Sequence, residues 1–107
     1  MRRAVERLLK LYGFRTRSFA GADDVGLIQC VRSAYCLVAD VQLPGTSGPA
    51  FFAALPLPRP PVVFVTAYDN AKTRADIQRI GIAEVLTKPF LGSDLLAAIE
   101  RAARVSP

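Results

Sequence analysis

Three short apolar runs, each stopping at a polar residue, constrain this chain more than any other feature. Cys36-Leu37-Val38-Ala39 stops at Asp40, Val62-Val63-Phe64-Val65 at Thr66, and Glu84-Val85-Leu86-Thr87 at Lys88. Continuous rather than alternating apolar character belongs to strands covered on both faces, and such strands occur in parallel sheets. Parallel strands need crossover segments, and helix-forming sequence lies between the runs. Pro49 suits the first turn of a short helix through Leu55. Ala71 to Ile80 reads as a weakly amphipathic helix closed by Gly81. Ser93 reads as the cap of a last helix carrying Leu95, Leu96, Ile99 and Ala102. Pro56-Leu57-Pro58-Arg59-Pro60-Pro61 reads as a stiff helix-to-strand connector, with a polyproline recognition segment as the alternative.

The opening of the chain completes the pattern. Val5, Leu8, Leu9 and Tyr12 recur at i, i+3, i+4 and i+7, with Arg3, Glu6, Arg7 and Lys10 on the other side. That spacing predicts an amphipathic helix with Tyr12 on its apolar face and Gly13 as its C-terminal cap. Phe14–Phe19 reads as a short polar strand. Gly21–Val31 reads as a helix with Asp23 or Asp24 capping its start. A helix followed by strand–helix four times predicts a doubly wound α/β sheet with helices on both faces.

Composition narrows the class. A chain of 107 residues has room for one domain, spanning 1–107. No apolar run approaches the roughly 20 residues of a membrane span, so a membrane partner or anchor is not expected. Charge recurs through the first residues where a secretory signal would be apolar. Two cysteines, Cys30 and Cys36, and no histidine exclude Cys/His zinc sites and histidine-dependent catalysis. Both cysteines read as buried thiols of a reducing, cytoplasmic compartment. The net charge of +5 is concentrated early, where six basic residues, Arg2, Arg3, Arg7, Lys10, Arg15 and Arg17, face Glu6 alone. Such a patch can bind nucleic acid or an acidic partner. With few interleaved aromatics and no DNA-reading motif, a solvated helix face is the favoured reading.

In doubly wound sheets functional groups lie beyond the carboxyl ends of the strands. Here that rim receives a carboxylate (Asp40), a hydroxyl (Thr66) and an ammonium (Lys88). A carboxylate can take a phosphoryl group and hold it as an acyl phosphate. The phosphoryl oxygens then need positive charge and donors, which Lys88 and Thr66 supply. Singly, Asp40 reads as a turn cap, Thr66 as a satisfied strand end and Lys88 as an ion-pair partner. All three at consecutive strand ends favour a site. Lys88 is expected within ion-pair reach of Asp40.

The chain resembles the receiver domains of two-component response regulators. The resemblance rests on Val38-Ala39-Asp40-Val41-Gln42-Leu43-Pro44-Gly45-Thr46-Ser47-Gly48, on Val65-Thr66-Ala67 and on Leu86-Thr87-Lys88-Pro89-Phe90, and it covers essentially all 107 residues. Its spacing is most like that of receivers of the nitrogen-fixation and nodulation type. It implies a flavodoxin-like fold with strand order 2-1-3-4-5. It also implies Asp40 as phosphoacceptor, Thr66 as switch hydroxyl, Lys88 as phosphate-binding lysine and Ala67 as the small residue whose backbone contacts the phosphoryl group. Mg²⁺ is implied at Asp40 and the Gln42 backbone carbonyl.

Two departures modify that expectation. Family members begin with a strand ending in an acidic pair that holds most of the metal site, and these 107 residues contain no counterpart of it. Four strands are therefore expected, and Mg²⁺ binding is expected to be weak. Where the family places an aromatic switch residue, three before the lysine, this chain has Val85. The outer edges of Phe14–Phe19 and Cys36–Asp40 are expected to close on each other, to be covered in a homodimer, or to be completed by an upstream segment.

The resemblance implies a receiver that accepts a phosphoryl group on Asp40 from a histidine kinase or phosphotransfer protein and switches binding of a downstream effector. The same resemblance implies a signalling module and not an enzyme. The alternative is a degenerate receiver acting as a phosphorylation-independent interaction or dimerisation module. A third reading is nucleic-acid binding through the basic N-terminal helix.

Overall fold

The computed structural model describes residues 2–17, 34–43, 46–56, 59–67, 70–81 and 84–105. The expected helix Gly21–Val31, Asp23, Asp24 and Cys30 lie outside the described residues, as do the last two residues of the expected strand Phe14–Phe19.

Helix α1 spans Arg2–Leu11. Its end is set by Gly13, at φ +87°, whose N–H donates to the Lys10 carbonyl while Phe14 N–H donates to that of Leu9. Glycine reaches that left-handed conformation without steric penalty. Val5, Leu8 and Leu9 face the core as expected. Tyr12 does not, being 63% exposed. The helix stops one residue earlier and the chain turns at Gly13, so the helical period no longer places position 12. Glu6 and Lys10 form the i, i+4 pair at 3.9 Å.

The three apolar runs form the sheet. Strand β1 spans Leu37–Asp40, β4 Val62–Thr66 and β5 Glu84–Thr87. Their order is β1-β4-β5, all parallel, with Asp40 opposite Val65 and Thr66 opposite Thr87. This is the outer half of the expected order. Of the fourth expected strand, Phe14–Phe19, the described part Phe14–Arg17 carries no ladder to another described residue, and Ser18 and Phe19 lie outside the described residues. Between β1 and β4 lie a two-residue antiparallel pair, β2 (Gln42–Leu43) and β3 (Thr46–Ser47), and helix α2 (Gly48–Ala53). Helix α3 spans Ala71–Ile80 and α4 spans Gly92–Val105.

Central position explains the continuous apolar run. Val62, Val63, Phe64 and Val65 have no exposed surface. Alternate residues feed opposite cores, because successive strand side chains point to opposite faces. Val62 and Phe64 join Ala39, Val41, Phe52, Leu55 and Ile77 beneath α2 and α3. Val63 joins Leu95, Ala98, Ile99 and Ala102 of α4, with Val5, Leu8 and Leu9 of α1 packed against them. Burying a side chain such as Phe64 contributes about 2–3 kcal/mol.

Capping is partly as expected. Ser47 caps α2 by accepting from Ala50 N–H at 3.1 Å, and Asn70 caps α3 by accepting from Thr73 N–H at 2.9 Å. The last helix begins at Gly92 and not at Ser93. Asp94 Oδ2 accepts from Leu91 N–H at 3.0 Å, so Asp94 reaches back to the residue that starts the turn. The described part of the proline-dense stretch is a connector into β4. Arg59 Nε donates to the Leu55 carbonyl at 3.2 Å and its guanidinium lies 5.6 Å from the Phe52 ring centre, holding the connector on α2.

Candidate functional site

The parallel ladder delivers three strand ends to one rim. Val41 N–H donates to the Val65 carbonyl at 2.9 Å and Lys88 N–H to the Thr66 carbonyl at 2.8 Å, which carries the pairing one residue past Asp40 and Thr87. Asp40, Thr66 and Lys88 are thereby fixed side by side. Asp40, Gln42, Thr66, Ala67 and Lys88 line one open cleft of about 150 Å³ together with Val65. Every residue expected at the site from sequence is brought there. Val65 is the one lining residue that sequence reasoning did not single out. It is read there as core, and it is also the floor.

Lys88 Nζ lies 2.8 Å from Asp40 Oδ1, with about a third of each side chain exposed. A contact that short is a charge-assisted hydrogen bond as well as an ion pair. Thr66 is buried, with its hydroxyl-bearing side chain at the cleft. The Lys88–Pro89 peptide is cis.

Sequence reasoning included Gly48 in the motif without giving it a role. The chain folds back after Asp40 through β2 and β3, and Gly48 N–H donates to the Val41 carbonyl at 2.6 Å. A Cβ at Gly48 would overlap the Asp40 carbonyl oxygen and stand 3.3 Å from Phe64 Cδ1. Only glycine permits that approach. The signal was the placement of a glycine at a helix start already capped by Ser47.

Cys36, entering β1, is partly buried, and burial pushes its thiol up to about 12, offset only weakly by a backbone hydrogen bond with Leu37. It is a packing residue, as the sequence reading holds.

Receiver domains commonly bind Mg²⁺ or Ca²⁺ at the phosphorylation site. The donor set here does not fit such an ion. Among the described residues Asp40 is the only carboxylate lining the cleft, and its Oδ1 is engaged by Lys88. Among the described residues no group of three or more acidic, histidine or cysteine side chains could hold a metal. Mg²⁺ sheds water for anionic oxygen ligands, and Ca²⁺ needs six to eight oxygens. Asp40 and the Gln42 carbonyl are too few.

The fold and the rim define a parallel α/β module with a carboxylate, a hydroxyl and an ammonium at one edge, and comparison places it. Residues 1–100 match the model of the response regulator receiver domain family, and the chain belongs to that family. It is 29% identical over 110 residues to the response regulator protein TmoT of Ectopseudomonas mendocina, covering 97% of this chain and 48% of that protein. It is 29% identical over 102 residues to nodulation protein W of Bradyrhizobium diazoefficiens, covering 92% of this chain and 44% of that protein. The chain thus spans less than half the length of these relatives. The receiver domain of NtrX from Brucella abortus superposes with a TM-score of 0.82 at 28% identity, over 98% of this chain and 91% of that one. Among the described residues no helix is long and apolar enough to cross a membrane.

Proposed function

We propose that residues 1–107 act as one receiver module in which Asp40 accepts a phosphoryl group from a histidine kinase or phosphotransfer protein and the modified module changes its affinity for an effector. The observation that carries this reading is the 2.8 Å contact of Lys88 Nζ with Asp40 Oδ1 inside a cleft that Thr66 and Ala67 also line. An Asp40 oxygen attacks phosphorus in line with the leaving group, and the phosphohistidine P–N bond breaks with its electron pair going to the imidazole. Lys88 faces the developing negative charge, while the Thr66 hydroxyl and the Ala67 N–H are the donors for the transferred oxygens. Charge at Asp40 then draws on Thr66, at the end of β4 and just ahead of α3. Val85 packs against the Phe64 and Ile77 cluster and has no ring to rotate. The change therefore runs through the β4–α3 connection. In this reading the module signals and does not turn over substrate.

Intact-mass measurement with acetyl phosphate tests the reading. One phosphoryl group is expected on the parent chain and none on Asp40→Asn, because an amide is a poor nucleophile. Equal labelling of both refutes it.

A second reading is favoured by the sheet. Among the described residues β1 pairs only with β4, so Leu37–Asp40 has one ladder edge without a described partner. A homodimer that covers this edge would act as an interaction module whether or not Asp40 is modified.

A further inference from the structure

We infer that the Asp40 cleft recognises a phosphoryl oxyanion without recruiting a divalent cation, with Lys88 as its countercharge. The inference rests on the reading of Asp40 as phosphoacceptor and specifies what that site needs.

Charge and position carry it. The cleft holds one carboxylate, Asp40, and one ammonium, Lys88, while Gln42, Val65, Thr66 and Ala67 are uncharged. These described lining groups are together formally neutral, so a divalent ion entering finds no excess anionic oxygen among them to repay its lost water. Oδ1 of the Asp40 carboxylate already holds an ammonium at 2.8 Å. Two cations on one carboxylate oxygen repel, and while no further negative charge enters the cleft the tethered one stays on Oδ1. No group of three or more acidic, histidine or cysteine side chains among the described residues offsets this.

A phosphoryl group meets the opposite situation. Its oxygens find the Lys88 ammonium, with the Thr66 hydroxyl and the Ala67 N–H as neutral donors. When acetyl phosphate is the donor, an Asp40 oxygen bonds to phosphorus and the bond from phosphorus to the acetate oxygen breaks. Acetate leaves with the electron pair, and no proton, oxidant or metal is consumed. The aspartyl phosphate is more negative than the carboxylate it replaces. Lys88 answers that added charge by moving from Oδ1 to a phosphoryl oxygen.

The test uses the 107-residue chain in two arms. Labelling by acetyl phosphate is followed by intact mass in EDTA and in Mg²⁺, with Asp40→Asn as control. Mg²⁺ alone, and inorganic phosphate in EDTA, are titrated against the amide NMR signals of Gln42, Ala67 and Lys88. Labelling within about twofold in the two buffers, with no saturable Mg²⁺ response up to about 10 mM, is expected. Phosphate should shift Ala67 and Lys88 in EDTA, and Lys88→Ala should lose that response. Labelling that requires Mg²⁺, or Mg²⁺ saturation below about 1 mM, overturns the inference and leaves Asp40 as phosphoacceptor. Absence of labelling in both buffers refutes the phosphoacceptor reading instead, and the titrations then decide the inference alone. A phosphate response with a flat Mg²⁺ response upholds it, and the reverse, or no response to either, overturns it.

Discussion

Gly48 is packed against the backbone carbonyl of Asp40 so closely that a methyl group there would occupy the oxygen's place. A close backbone approach therefore sits beside the proposed nucleophile. Gly48→Ala must displace either α2 or the end of β1, and the Phe64 ring at 3.3 Å blocks the alternative direction. A loss of about 1–3 kcal/mol in a urea melt is expected, the usual range for overpacking. Gly48→Ala matching the parent in stability would show that the loop after Asp40 yields freely.

The Lys88–Asp40 pair is short but not sealed from water. With 33% and 38% of the two side chains exposed, solvent screens it. Removing Lys88 is expected to cost about 1 kcal/mol, near the value for accessible pairs, in contrast to the about 3–5 kcal/mol of a buried pair broken on one side. The effect should shrink in high salt. Thermal melts of Lys88→Ala at low and high ionic strength measure both, and a loss insensitive to salt would contradict the screening.

Phe64 holds the middle of the sheet. It is fully buried and meets Phe52 edge-to-face at 6.0 Å between ring centres. Phe64→Ala is expected to cost about 3–5 kcal/mol, a large part of the stability of a small domain, and to leave a substantial unfolded fraction at 37 °C. Phe64→Leu keeps most of the volume and should remain folded. Circular dichroism of the two variants compares them.

Cys36 links stability to alkaline pH. Burial raises the thiol from an ordinary 9.0 to about 12. Its folded form thus prefers the neutral thiol, so the contribution is fully present below pH 9 and is lost as pH rises from there toward about 12. The parent should lose stability over that window more steeply than Cys36→Ala, which lacks the group. Iodoacetamide should also modify Cys36 far more slowly in the folded chain than in urea. Parallel pH slopes for the two proteins would refute the linkage.

Covering by a second copy of the β1 edge that has no described partner would couple folding to association. The melting temperature should then rise with protein concentration. The interface should exceed roughly 2,000 Å², the size of obligate contacts. A concentration-independent melt with a monomer mass by light scattering would show that one chain covers the edge itself.

The sheet and the rim were legible in the sequence for a common reason. Val62–Val65 is apolar at every position because β4 has a neighbour on both sides and a helix layer on both faces, and Asp40, Thr66 and Lys88 stand where such runs stop. Periodicity failed where tertiary geometry took over. Tyr12 continues the helical spacing of Val5, Leu8 and Leu9, yet the turn at Gly13 puts it in solvent. Ser93 has the chemistry of a cap, but Asp94 makes the hydrogen bond that starts α4. The role of Gly48 depends on a contact with the Asp40 carbonyl that no local pattern encodes.

The placement of β4 between β1 and β5 also gives the molecule an internal clock. Its amides lie beneath both cores and have parallel neighbours on each side. A deuteron reaches Val63, Phe64 and Val65 only when the whole sheet opens, so their exchange rates report global unfolding and not local fraying. Any anion that settles on the rim just beyond Val65 binds the closed sheet alone, and it should slow those three amides in proportion to its occupancy.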